Sequence, residues 1–366
     1  MEHTRSTAPA YCLRLHAAYR CQHAGACCTA GWAIPIEEPA TTRVQRQFAG
    51  RASALFLSGD AGQAVGPSAI LARTPGGDCV FFERDGNLCV IHRDMGPDSL
   101  PVACQHFPRV VLQRPRDTRI SLSHFCPTAA MLLRSPAGDA FDIVTAPASL
   151  SLDGRAEGLD ARDTLPPLLR PGMLMDEDGY DAWERRCLGI LGRGDRTADQ
   201  AVAIIAAATG AVQSWRPGGV TLSATVDHEF DVAYDVKPDE DLVGLVTRAR
   251  LAVRSVPRGL SFPPPLEDAG EAWRDLRAWW GDFDGTVRAY LAARLFGNWV
   301  AYYGHGLHAV ADYLRVALAV VKMEAMRHHA QGTSTSPWQT VNEAVRNADL
   351  LLVHLADAKT LALSLR

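Results

Sequence analysis

Tyr19-Arg20-Cys21-Gln22-His23-Ala24-Gly25-Ala26-Cys27-Cys28-Thr29-Ala30-Gly31-Trp32 carries three thiols in fourteen residues, and its reading decides what kind of N-terminal region this chain has. Cys27 and Cys28 are adjacent, so their side chains diverge in extended backbone and approach one another only in a turn. Gly25 and Gly31, one on each side, permit such a turn. Further thiols follow in three more blocks: Cys79 and Cys89, then Cys104-Gln-His-Phe-Pro108, then His124-Phe-Cys126-Pro127. Eight of the nine cysteines, Cys12 included, fall within the first 126 residues, and only Cys187 lies beyond.

Compartment decides how such thiols are read. Residues 1–20 hold Glu2, His3, Arg5, Arg14 and His16 without an apolar run, so no secretory leader is expected. The stretch 295–311, free of Asp, Glu, Lys and Arg, is too short and too rich in glycine for a membrane span. A cytoplasmic location is therefore expected, where disulfides are disfavoured and clustered cysteines point to metal or redox chemistry. An odd cysteine count also fits a closed disulfide framework poorly. Thiolate is the donor that zinc and clustered iron accept best, and four donors complete a tetrahedral site. Cys21, Cys27, Cys28, Cys79, Cys89, Cys104 and Cys126 are the expected ligands. Seven suit two ions or one cluster with spare sulfurs. His23, His92, His106 and His124 stand close enough in sequence to be nitrogen ligands or to orient them. Cys187, isolated, and Cys12 read more simply as small core residues.

With 47% hydrophobic residues in 366, the chain can bury a core, and two domains are expected: a Cys-rich unit over 1–150 and a helical unit over 151–366. A formal charge of −4 offers no basic stripe, so neither nucleic acid nor an anionic membrane is an expected partner. The fold expected is mainly α, with an irregular metal-binding N-terminal region containing one short β-hairpin. That hairpin spans Cys79 to His92 and reverses at Asp85-Gly86-Asn87. In a regular hairpin Cys79 and Cys89 stand about 13 Å apart along the strands. Either the strand bends near Cys79, or the two thiols serve different centres.

Beyond residue 165 the pattern is helical. Val287, Leu291, Leu295, Trp299 and Tyr303 recur every four residues, and Leu307, Val310, Leu314, Ala317 and Val321 continue after Gly304-His305-Gly306. Ser336-Pro337-Trp338-Gln339 reads as a capping box opening the last helix. The charged run Lys322, Glu324, His328 and His329 reads as a solvated helix face.

The cysteine order, with Trp32 four residues after Cys28, Cys104-x-x-Phe107-Pro108-Arg109 and Ser121-Leu-x-x-x-Cys126-Pro127, resembles the YkgJ-type cysteine-cluster family of zinc- or iron-chelating proteins. Within it the chain is most similar to the longer members, the flagellin lysine-N-methylases (FliB-like). The resemblance implies a bound zinc, iron or iron–sulfur cluster, S-adenosylmethionine as methyl donor, and a protein lysine of flagellin type as substrate. The alternative is a metal-binding, metal-sensing or structural zinc module that docks a protein partner without turnover. Catalytic residues are not assigned by either reading. One departure stands out: the family opening carries a further cysteine where this chain has Ala24-Gly25. His23 or Cys12 is the candidate replacement.

Overall fold

The computed structural model describes residues 8–50, 55–58, 69–136, 138–150, 158–237, 241–266, 269–332 and 334–365. Helix predominates, at 54% against 11% strand, with several small sheets. None of the helices is long and apolar enough to cross a membrane, among the described residues.

The N-terminal part is more ordered than the expected irregular region with one hairpin. Its main element is a five-stranded mixed sheet in the order Leu159–Asp160, Arg109–Gln113, Thr118–Leu122, Ala10–Leu13, Ile143–Thr145. The central pair is a hairpin in which Val111 faces Ile120, closed by Arg114 N–H to the Asp117 carbonyl at 2.8 Å. Val111, Leu112, Ile120 and Leu122 are all buried. Ala10–Leu13 runs parallel to Thr118–Leu122, and Cys12 pairs with Val144 on its other side. Cys12 thus sits in core alongside Tyr19, Ile120 and Cys126. A second, three-stranded sheet joins Pro35–Ile36, Ala69–Leu71 and Phe56–Ser58.

The hairpin near residue 85 exists but is shorter and differently registered than expected. Phe82 pairs with Cys89 and Glu83 with Leu88, and the loop is the 3-10 turn Arg84–Gly86 followed by left-handed Asn87. The chain turns just before it, with Phe82 N–H bonded to the Cys79 carbonyl at 3.0 Å. Cys79 leaves the hairpin and pairs instead with Arg73, its N–H donating to the Cys28 carbonyl at 2.8 Å. The strand therefore bends at Cys79.

The helices gather around Leu307–Ala330, which is buried on every face from Val316 to Met326 and packs against Ala198–Val212, Leu242–Arg254 and Pro337–Asp349. A helix apolar all round belongs inside its bundle. Local signals explain several starts: Asp176 caps Glu177–Gly192, whose first turn carries Glu177 and Asp178, and Thr197 with Gln200 forms a reciprocal capping box on Ala198–Val212. Ser336 caps Pro337–Asp349 as expected, but Gln339 Oε1 reaches Thr335, one residue earlier than a capping box requires. The four-residue repeat beginning at Val287 stops at Leu295. Phe296 is extended, Gly297 is left-handed at φ +65°, and Trp299 starts a separate 3-10 turn.

The Lys322 and Glu324 region corrects the expectation of a solvated face. Both are buried, Lys322 at 1% exposure with its Nζ 2.5 Å from Asp199 and 5.0 Å from the Trp273 ring centre. Glu324 accepts from Arg327 and Asn347. The charges point inward because each meets a partner there. Cys187 is a core residue, fully buried among the helices.

Gly306 opens the central helix at φ +87°, and a Cβ there would stand 2.9 Å from Arg170 Cα and 3.2 Å from the Leu169 carbonyl. Backbone on the far side cannot give way. Gly306→Ala is expected to lower unfolding free energy by about 2 kcal/mol or more, read from a denaturant titration.

Candidate functional site

Gly25 sets up the thiol cluster. At φ +73° it turns the chain into the short helix Ala26–Thr29, and a Cβ on it would lie 2.8 Å from the Phe82 ring, so both backbone and packing demand glycine. The helical turn brings Cys27 and Cys28 to the same side, their sulfurs 3.9 Å apart. Cys89, last residue of its two-residue strand, meets Cys28 from the opposite chain segment. Cys28, donating to Cys27 and Cys89, holds its proton far above the ordinary thiol range, while Cys27 is held below it. Cys89 is lowered to about 7, first by the bond from Cys28, with burial opposing. Cys79 stands just behind this group, and burial pushes its thiol up to about 11.

A cavity of about 360 Å³ opens over these sulfurs. Cys21, Cys27, Cys28, Cys89, Cys104 and Cys126 all line it, so six of the seven expected ligands face one space. Cys104 comes from the helix Val102–His106, and Cys126 from the N-cap of Pro127–Met131, where the Tyr19 hydroxyl lies 3.8 Å from its sulfur. Cys21 is exposed at the rim. His23 and His92 line the same cavity with ring centres 5.3 Å apart, and Ala24 occupies its wall. Cys12, its thiol raised by burial to about 11, does not line it. His106, the last residue of the helix that carries Cys104, is buried and lines the neighbouring cavity.

The donor chemistry suits a thiophilic ion, since soft sulfurs converge with two imidazoles at the margin. Among the described residues, however, no three His, Cys, Asp or Glu side chains already hold the mutual arrangement of a metal site. Ligation at this cavity requires side-chain rotation.

His124 serves elsewhere. It is fully buried in a polar chain that joins the sheet to the helical half: His16 Nε2 lies 3.2 Å from His124 Nε2, and His124 Nδ1 3.2 Å from Asp349 Oδ2. The His124 backbone N–H also donates to that carboxylate, and Arg294 Nε approaches its other oxygen at 3.4 Å. Tyr290 packs edge-on against the His124 ring. Nearby, His354 bonds Ser123 at 2.7 Å and stacks on Trp32 with ring centres 4.4 Å apart. Sequence reading gave His354 and Asp349 no role, because their partners lie more than 220 residues away along the chain.

Burial holds His16 and His354 neutral, with His354 lowered to about 4. Arg294 pushes both the same way, and Asp349 opposes at His354. The unfolded chain takes up these protons from about pH 6.5 downward, whereas in the folded chain His354 resists until near 4 and His16 too stays neutral well below its ordinary range. Stability is therefore expected to be level above pH 7. It should then fall between pH 6.5 and 4 with a slope reaching about 1.4 kcal/mol per pH unit for each histidine, seen as a declining urea midpoint.

Comparison with family profiles, curated proteins and solved structures gives no match.

Proposed function

We propose that this chain is a cysteine-cluster metalloprotein, in which Cys27, Cys28 and Cys89, with Cys104, Cys21, Cys126 and Cys79 around them, supply thiolates to zinc, iron or an iron–sulfur cluster. The observation that carries this reading is the convergence of six cysteines from four sequence blocks on one cavity, with the Cys28 sulfur in contact with those of Cys27 and Cys89. A buried cysteine used only for packing needs no such gathering. The resemblance adds the activity: transfer of a methyl group from S-adenosylmethionine to a lysine of a flagellin-like protein, in the cytoplasm. A bound ion would supply Lewis acidity or, as an iron–sulfur cluster, electron transfer.

A second reading, a non-catalytic sensing or structural zinc module that docks a protein partner, is favoured by one feature. The sequence contains neither a G-x-G-x-x-G turn for a nucleoside cofactor nor a C-x-x-x-C-x-x-C triplet. Anaerobic purification followed by elemental analysis and a visible spectrum tests the metal. Iron with thiolate charge-transfer bands identifies a cluster, and colourless protein with stoichiometric zinc identifies a zinc site. Protein carrying neither, even after reconstitution, overturns the reading. Incorporation of labelled methyl from S-adenosylmethionine into flagellin separates enzyme from module.

A further inference from the structure

The thiol cavity has a neighbour. Cys27, Cys104, Phe107 and Arg109 form a wall common to it and to a second cavity of about 220 Å³. Beyond that wall the surfaces are aromatic and aliphatic, chiefly Trp32, Trp299, Ile34 and Val353. Trp32 is held flat by its stack on His354 at an interplanar angle of 25°. Trp299 already donates its indole N–H to the Val111 carbonyl at 3.1 Å, and His354 is engaged with Ser123, so the polar edges of both rings are satisfied within the protein.

Arg109 is the one cationic side chain on the shared wall. Its Nε donates to the Leu150 carbonyl at 3.1 Å, Nη1 to those of Gln105 and His106, and Nη2 to that of Ser149 at 2.7 Å. These carbonyls fix the guanidinium in place without neutralising it. Among the described residues no carboxylate pairs with it. Arg114, Arg119 and Arg294 each have a carboxylate, whereas Arg170 and Arg288, like Arg109, are held by backbone carbonyls but do not line this cavity. A fixed, uncompensated guanidinium beside an apolar cavity is a receptor for an oxyanion, because charge-assisted bonds are strongest where water is scarce.

We propose that this second cavity binds a small molecule with a flat apolar body and an oxyanion, a carboxylate or a phosphate. The body lies against Trp32 and the oxyanion on Arg109, next to the sulfurs of Cys27 and Cys104. The proposal concerns the compartment beside the thiols and stands whether or not they carry an ion.

Benzoate and phenyl phosphate are the probes, titrated calorimetrically into the full chain. Saturable binding of at least one is expected, and the tighter of the two identifies the oxyanion. Arg109→Gln should weaken it about tenfold or more, the loss of one charge-assisted contact. Ala103→Leu, which fills the cavity and keeps the arginine, should abolish it. No saturable binding of either probe overturns the proposal. So does affinity within about twofold of wild type in Arg109→Gln, or in Ala103→Leu should the first variant fail to fold. Elemental analysis of the same samples reads the metal separately: bound probe without metal sinks the thiolate centre and spares this site, and the converse holds equally.

Discussion

Asp349→Ala is expected to lower the unfolding free energy by about 3–5 kcal/mol, the cost of leaving a buried charge without its counter-charge. Asp349 is fully buried at the end of its helix and receives the His124 backbone N–H, the His124 ring and Arg294. Burial alone would raise its carboxyl, but Arg294 and His124 hold it below the ordinary carboxylate range. The guanidinium of Arg294, itself buried, also donates to the Leu122 carbonyl at 2.6 Å. Removing the carboxylate strands that cation between a sheet strand and the helices, with a backbone N–H beside it. Asp349→Asn keeps an acceptor for the N–H and should cost less. Adding Arg294→Met to Asp349→Ala should recover part of the loss, since the two residues share one interaction. Denaturant titrations of wild type, Asp349→Ala, Arg294→Met and the double variant complete the cycle. Additive losses would mean that the pair is not coupled.

This buried pair also marks where sequence reading reaches its range. The helical half was legible because periodicity is local: Val287 to Leu295 and Leu307 to Val321 lie in helices as expected. Where that reading failed, a tertiary partner decided. Lys322 and Glu324 look solvated in sequence, yet Asp199 and Asn347 draw them inward. The missed five-stranded sheet did leave a signal. Arg109-Val-Val-Leu-Gln113 and Thr118-Arg-Ile-Ser-Leu122 are β-rich runs around a Pro115-containing turn, the pattern of a hairpin. Its parallel partners, at residues 10–13 and 159–160, could not be inferred from local pattern. The thiol blocks were visible as a spacing pattern, which left open whether they serve one centre or two; that six of them line one cavity is a property of the fold. Arg109 was visible only as part of a motif; that no carboxylate among the described residues pairs with it is a property of three dimensions alone.

Cys28→Ser and Cys89→Ser should each reduce the affinity for bound metal by more than about a hundredfold, beyond what loss of a partner outside the ligand set produces. The central position of Cys28 is the reason. Its sulfur contacts both Cys27 and Cys89, and its carbonyl fixes Cys79. Cys187→Ser and Cys12→Ser should leave metal content unchanged, because both thiols point into core away from the cavity. Cys126→Ser decides the number of centres. Cys126 pairs with Tyr19 and neighbours Cys21, a grouping distinct from Cys27, Cys28 and Cys89. A single centre on the three-sulfur group predicts full metal content in Cys126→Ser, whereas two centres predict half. Elemental analysis of equal amounts of folded variant reads the difference. Unchanged metal in Cys28→Ser would remove the thiolate reading altogether, since that substitution breaks the contact on which the convergence depends.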